Sequence, residues 1–146
     1  MTKSAGSADP HTNTDRPSVL LADDNPAVLA HLATMLASSF QIVAAVSDGQ
    51  IVLREAARLR PDVTVLDISM PGMSGIDVAH RLRESGSLTK VVFLTVHEDS
   101  DFVEAALAAG GSAYVIKYSL GTDLIPAIEA ALSGKLFVSP SLSVEP

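Results

Sequence analysis

An α/β fold, one parallel sheet covered on both faces by helices, is predicted by three features of the 146-residue sequence. Short apolar runs rich in β-branched residues recur five times along the chain. Each is too brief for a helix and nearly all apolar, which is the pattern of a strand buried on both faces. Each is followed by a stretch whose apolar residues repeat at three and four positions, the mark of an amphipathic helix. Strands alternating with helices read as a chain of crossovers, and the predicted arrangement is a doubly wound, five-stranded sheet of order 2-1-3-4-5 flanked by five helices.

The first strand is Ser18-Val19-Leu20-Leu21-Ala22, bounded by Asp23-Asp24-Asn25-Pro26. Asn25 can cap the helix that follows, with Pro26 at its first position, where no N–H is needed. Val28, Leu29, Leu32, Met35 and Leu36 then form one apolar stripe reaching about Ser38. Residues 41–46 are the second strand, and Ser47 or Asp48 can cap a helix that runs through Arg60 and is stopped by Pro61. The third strand, Val63 to Asp67, delivers a carboxylate to the turn that carries Met70-Pro71-Gly72. Ile76, Ala79 and Leu82, with Val78 beside them, mark a third helix that fades at Glu84-Ser85-Gly86.

Residues 90–95 are the fourth strand. Ser100 or Asp101 caps a helix whose Phe102, Ala105, Ala106 and Ala109 share a face, closed by Gly110-Gly111. Residues 113–117 are the fifth strand. Thr122 or Asp123 opens the last helix, with Leu124, Ile128, Ala131 and Leu132 inward and Pro126 in the first turn, where it is tolerated.

Composition bounds the function. Seventeen acidic against ten basic residues leave a net charge of −7, and the four lysines and six arginines form no basic block. Electrostatic binding of nucleic acid by this chain is therefore not expected, since phosphate contacts need clustered cations. No apolar run approaches the roughly 20 residues of a membrane span. The start of the chain has no apolar central region like that of a secretory signal, so a cytoplasmic location is expected. The absence of Cys excludes disulfides and thiol catalysis. Residues 1–17 read as a disordered tail, 18–138 as one domain, and 139–146 as a C-terminal tail or the start of a linker. His11 and His31 lack partners at metal-ligand spacing.

In the predicted strand order, the C-terminal ends of strands one, three, four and five surround one crevice, where open parallel sheets place their chemistry. The residues there are Asp23, Asp24, Asp67, Thr95 and Lys117. Singly, each has a plain structural explanation: a helix cap, a β-branched strand residue, an edge charge. Jointly they do not, because converging carboxylates repel and raise the cost of keeping all of them ionised. Oxygen ligands without nitrogen or sulfur partners suit a hard cation, so magnesium is inferred, with manganese as the alternative. A lysine and a hydroxyl nearby supply contacts for phosphoryl oxygens. Asp67 is thereby equipped to attack phosphorus and form an aspartyl phosphate.

The segments Leu21-Ala22-Asp23-Asp24-Asn25, Leu66-Asp67-Ile68-Ser69-Met70-Pro71-Gly72-Met73-Ser74-Gly75, Phe93-Leu94-Thr95 and Ala113-Tyr114-Val115-Ile116-Lys117 resemble the receiver domain of two-component response regulators, which has a flavodoxin-like fold. The likeness covers roughly residues 18–139. It implies that Asp67 takes a phosphoryl group from the phosphohistidine of a sensor histidine kinase. It also implies that Asp23, Asp24, Asp67 and the main-chain carbonyl of Ser69 ligate magnesium. Thr95 would bind a phosphoryl oxygen and move with it, Lys117 would pair with the phosphate, and Tyr114 would turn inward as the aromatic switch. A homodimer through the face of the fourth helix, fifth strand and fifth helix follows from the same analogy.

Some positions depart from the usual receiver pattern. Val96 stands where Ala or Gly is common, which narrows access to the phosphoryl site, and Tyr118 replaces a common Pro, which argues against a cis peptide there. Ser69 and His97 are placed to influence hydrolysis of the aspartyl phosphate. Val96-His97-Glu98-Asp99, Lys117-Tyr118-Ser119 and residues 134–140 resemble receivers that carry a C-terminal helix-turn-helix, so the chain reads as a stand-alone receiver or as part of a longer transcriptional regulator. A magnesium phosphatase would want a second acid where Ser69 stands. A flavin domain would want a phosphate loop where Asp23-Asp24 repel phosphate. A purely structural interaction domain with a vestigial pocket is the third alternative.

Overall fold

Strands that are nearly all apolar must be covered on both sides, and the computed structural model, which describes residues 16–96 and 100–140, has that arrangement. The elements in chain order are β1 (Ser18–Ala22), α1 (Pro26–Leu36), β2 (Gln41–Val46), α2 (Gly49–Leu59), β3 (Val63–Asp67) and α3 (Gly75–Glu84). They continue with β4 (Lys90–Thr95), α4 (Ser100–Ala108), β5 (Gly111–Ile116), a 3-10 turn (Lys117–Ser119), α5 (Leu120–Leu132) and β6 (Phe137–Val138). The sheet order is β2-β1-β3-β4-β5-β6, and every pairing is parallel. The predicted order is correct, with a sixth strand added at the β5 edge.

Because successive strand residues face opposite ways, the core divides into two clusters. Val19, Leu21, Val63, Val65, Val92 and Leu94 pack with α1 and α5 on one side of the sheet. Leu20, Ala22, Leu66, Phe93 and Tyr114 pack with α2, α3 and α4 on the other. β3 lies between β1 and β4 and is buried along its whole length, so Asp67 at its end is carried by a central, fully buried strand.

Asn25 caps α1 by accepting from the amides of Ala27 and Val28, and Asp48 caps α2 by accepting from those of Gln50 and Ile51, both as anticipated. Two expectations about packing are corrected. In α4, Val103 and Ala106 are buried, as is Ala109 just past its end, and Ala105 is exposed, while the side chain of Phe102 lies outside what is described. In α5, Leu132 is exposed at the end of the helix, and Ala127 is buried where the apolar repeat pointed past it.

The start of the last helix also differs. The 3-10 turn at Lys117 runs directly into α5, so the helix begins at Leu120, and neither Thr122 nor Asp123 is its cap. Pro126 consequently lies inside the helix, where its missing N–H leaves the Thr122 carbonyl without the usual amide four residues on. Burial of Leu120, Leu124, Ala127, Ile128 and Ala131 holds the helix despite that loss. Lys117 belongs to the turn rather than to β5. No peptide bond is cis among the described residues, in keeping with Tyr118 in place of Pro.

Candidate functional site

The C-terminal rim of the sheet is built by the ends of β1, β3 and β4 and by the turn that follows β5. Asp23, one residue past β1, is anchored by its amide, which donates to the Val46 carbonyl (3.1 Å), and its side chain is fully buried. Asp24 follows and is exposed. The amide of Asn25 donates to Asp23 Oδ1 (3.0 Å), so the α1 cap residue also orients the buried acid beside it. The sequence reading missed this bond, although an Asp side chain accepting from the amide two residues on, an Asx turn, is a local pattern open to Asp23.

Asp67 ends β3 with 2% of its surface exposed. The amide of Ile68 donates to the Leu94 carbonyl (3.0 Å), and the amide of Ser69 donates to Asp67 Oδ1 (3.2 Å), so the turn closes around the carboxylate. The Gly75 amide then donates to the Ile68 carbonyl (2.8 Å), and a Cβ at Gly75 would collide with the Asp67 carbonyl oxygen. Only glycine admits this close passage of α3 against the end of β3.

Thr95 is buried at the end of β4, one residue past the partner of Asp67 in the register. It pairs with Ile116, the residue before Lys117. Lys117 Nζ lies 2.7 Å from Asp23 Oδ2 and 3.3 Å from Asp67 Oδ1. Asp23, Asp24 and Asp67 offer carboxylate oxygens that all lie within 4.8 Å of one another. All five residues predicted to meet at the rim are therefore brought there. Ser69 is exposed beside Asp67, and His97 lies outside the described residues. Val96 and Tyr118 are exposed apolar side chains. Tyr114 is wholly buried in the cluster under α4, deeper than a half-exposed aromatic.

The electrostatics follow from this crowding. Burial, then the charge of Asp23, pushes the Asp67 carboxyl up to about 6, against the opposing pull of Lys117 and the Ser69 amide. Burial works against the Lys117 ammonium, but its hydrogen bond to Asp23 and the charges of Asp67 and Asp23 prevail and hold it above its ordinary value. Three acids and one lysine leave the pocket short of positive charge. Closely spaced oxygens without nitrogen or sulfur donors are the set a hard divalent ion takes, so the residues present fit magnesium.

The family model for the response regulator receiver domain matches residues 19–129. The chain belongs to this family. It is a receiver domain of a two-component response regulator, a signalling switch with the flavodoxin-like fold. The chain is 39% identical over 116 residues to the transcriptional regulatory protein PdtaR of Mycobacterium tuberculosis, covering 79% of this chain and 56% of that protein. It is 32% identical over 127 residues to the response regulator GacA of Pseudomonas viridiflava, covering 86% and 59%. The receiver thus spans less than two thirds of the length of these curated relatives. A two-component response regulator of the LuxR family from Aurantimonas sp. SI85-9A1 superposes with a TM-score of 0.83 at 30% identity, covering 87% of this chain and 92% of that one. The receiver domain of RcsB from Salmonella enterica serovar Typhimurium, solved with the phosphomimetic BeF3-, superposes at 0.82 and 26% identity, covering 89% and 99%. Among the described residues no helix is long and apolar enough to cross a membrane.

Proposed function

We propose that Asp67 is the phosphoacceptor of a receiver that takes its phosphoryl group from a sensor histidine kinase. In that step an Asp67 carboxylate oxygen bonds to phosphorus while the P–N bond to the kinase imidazole breaks and the imidazole leaves with the bonding pair. The observation that carries the reading is the Lys117 amine, 3.3 Å from Asp67 Oδ1 and held there by Asp23 at 2.7 Å. A cation so placed can follow the charge as it moves onto the phosphoryl oxygens. Asp23, Asp24 and Asp67, with the Ser69 carbonyl as the family resemblance implies, would hold magnesium, which when bound supplies further positive charge against the phosphoryl group. Thr95, buried at the adjacent strand end, contributes a hydroxyl to a phosphoryl oxygen.

The switch is proposed to run from Thr95 to Tyr114. The Tyr114 ring is already inside the protein, and phosphorylation would favour this arrangement by drawing Thr95 toward the phosphate. The face of α4, β5 and α5 is the surface proposed to respond, as a homodimer contact or a partner site. Control of transcription through a longer regulator is the output suggested by the relatives, and a cytoplasmic location fits a partner of a kinase's cytoplasmic portion.

Incubation with acetyl phosphate and magnesium tests the assignment. One acid-stable, hydroxylamine-labile adduct is expected on the wild type and none on Asp67→Asn. An adduct that survives this substitution places the phosphoacceptor elsewhere, and no adduct on the wild type leaves a vestigial pocket.

A further inference from the structure

The chain beyond α5 returns to the sheet and extends it at the β5 edge. β6 pairs with β5 through Ala113 with Phe137 and Tyr114 with Val138. One residue further, the Ser139 amide donates to the Tyr114 carbonyl (2.9 Å). The ladder then stops, yet the Ile116 amide on the same edge still needs an acceptor. The Ser139 hydroxyl supplies it, accepting from Ile116 N at 3.0 Å. The same hydroxyl donates to Asp123 Oδ2 at 2.7 Å, while Thr122 Oγ1 reaches Asp123 Oδ1 at 3.1 Å. Ser139 is fully buried and Asp123 is 8% exposed. This explains why Asp123 does not cap α5: its carboxylate is committed to Ser139.

We propose that Ser139 is a positioning residue for Lys117, and that through it the state of the Asp67 pocket and the seating of the C-terminal strand on the sheet are coupled. The inference rests on the phosphoacceptor reading. Ile116 is the last residue of β5, and Lys117 leaves the sheet immediately after it. The Ser139 hydroxyl therefore fixes the base from which the Lys117 side chain reaches Asp23 and Asp67. Ser139 also holds Tyr114 by its backbone, so one residue of the returning strand grips both sides of Val115. Any shift of Lys117 or Tyr114 on phosphorylation loads the Ser139 contacts, and a pull on the chain after Ser139 loads Lys117 in return, since coupling between two sites is reciprocal.

The test uses the full chain with acetyl phosphate and magnesium, and wild type is scored first for the Asp67 adduct. Ser139→Ala is expected to slow adduct formation roughly fivefold, the size of one lost hydrogen bond, and to speed exchange of the Ile116 amide. Ser139→Thr, which keeps the hydroxyl, is expected to restore both. If Ser139 acts through Lys117, the slowing disappears when Ser139→Ala is placed in a Lys117→Ala background, because the two changes then share one pathway. In wild type, magnesium with beryllofluoride is expected to change exchange of the Ser139 amide. A Ser139→Ala protein that forms the adduct at the wild-type rate, or whose slowing persists in full without Lys117, overturns the inference and leaves the phosphoacceptor assignment standing. Absence of any wild-type adduct overturns both. Should Ser139→Ala not fold, Asp123→Asn, which weakens the acceptor that orients the Ser139 hydroxyl toward the Ile116 amide, is read the same way, and unchanged rate and Ile116 exchange overturn the proposal.

Discussion

The Lys117 ammonium is closer to Asp23 than to Asp67, 2.7 Å against 3.3 Å. Its nearest partner is thus an acid buried beside the pocket and not the proposed nucleophile. Lys117 offsets the repulsion between the two carboxylates it contacts, and it can shift toward a phosphoryl oxygen without leaving Asp23 uncompensated if a cation is bound. Lys117→Ala should therefore have two separable effects. Adduct formation from acetyl phosphate should fall on the order of 10²-fold or more, the scale of a lost charge-stabilising group. Stability should fall too, by less than the roughly 3–5 kcal/mol of a broken, fully buried pair, because Lys117 is 20% exposed. Magnesium should return much of that stability and little of the rate, as thermal melts and adduct kinetics on one sample would reveal.

Asp67 confers a pH dependence whose sign is set by its raised pKa. The carboxyl binds its proton more tightly when folded, about 6 against an ordinary value of 3.8. Its contribution to stability is complete below the unfolded value and is lost as pH climbs through 6. Without metal, Asp67→Asn should thus be more stable than wild type at pH 7 by on the order of 2 kcal/mol, and the gap should close as pH falls from 6 to 4. Melting temperatures of the two proteins in EDTA across that range would measure it. A gap that stays constant with pH would mean that the Asp67 carboxyl is not perturbed.

Strand order, the five rim residues and the caps of α1 and α2 were legible because local patterns mark the strands and caps and the crossover rule limits how the strands can be ordered. Buried strands announce themselves by continuous apolar runs, and a strand order follows from crossovers. What stayed hidden depends on contacts between distant residues. β6 has two residues, too few for a period. Asp123 looked like a helix cap because the partner that claims it, Ser139, lies 16 positions away. The burial of Tyr114 is decided by α4 packing over β5, which an isolated Ala-Tyr-Val run does not reveal.

Ser69 and His97 should tune the lifetime of the aspartyl phosphate. The Ser69 amide is bonded to Asp67 at 3.2 Å, and Ser69 is exposed to solvent while Asp67 is buried. Replacing either side chain should alter the hydrolysis rate of the adduct several-fold, about 1 kcal/mol in barrier, without moving the site of attachment. Decay of radiolabelled protein after removal of the phosphodonor is the measurement. Unchanged lifetimes in both variants would remove the two residues from the account.

Magnesium should bind folded protein and raise its melting temperature. At a concentration one hundred times the dissociation constant, linkage predicts about 2.7 kcal/mol of added stability. Asp24 is exposed, so Asp24→Asn should weaken this effect at little structural cost, whereas Asp23→Asn also strips Lys117 of its nearest partner. Calorimetric titration of the Asp24→Asn protein showing wild-type affinity would exclude Asp24 as a ligand.

Gly75 tests whether the pocket depends on the seating of α3. Its position is tight against backbone rather than against a movable side chain: a Cβ there meets the Asp67 carbonyl oxygen and lies 2.9 Å from Ile68 Cα. Relief must come from moving the N-terminus of α3 or the end of β3, because neither contact can rotate away. The Ser74 cap and the Gly75 amide bond to Ile68 would be strained together. Gly75→Ala should cost about 3 kcal/mol, as severe overpacking does, and lower the melting temperature on the order of 10 °C. The informative quantity is the adduct rate well below that melting temperature. A rate that falls along with the stability means that Asp67 has moved relative to Lys117, because Gly75 itself bears no group that touches the phosphoryl site. A destabilised protein that is phosphorylated at the wild-type rate would show instead that β3 holds its carboxylate in place and that α3 alone gives way.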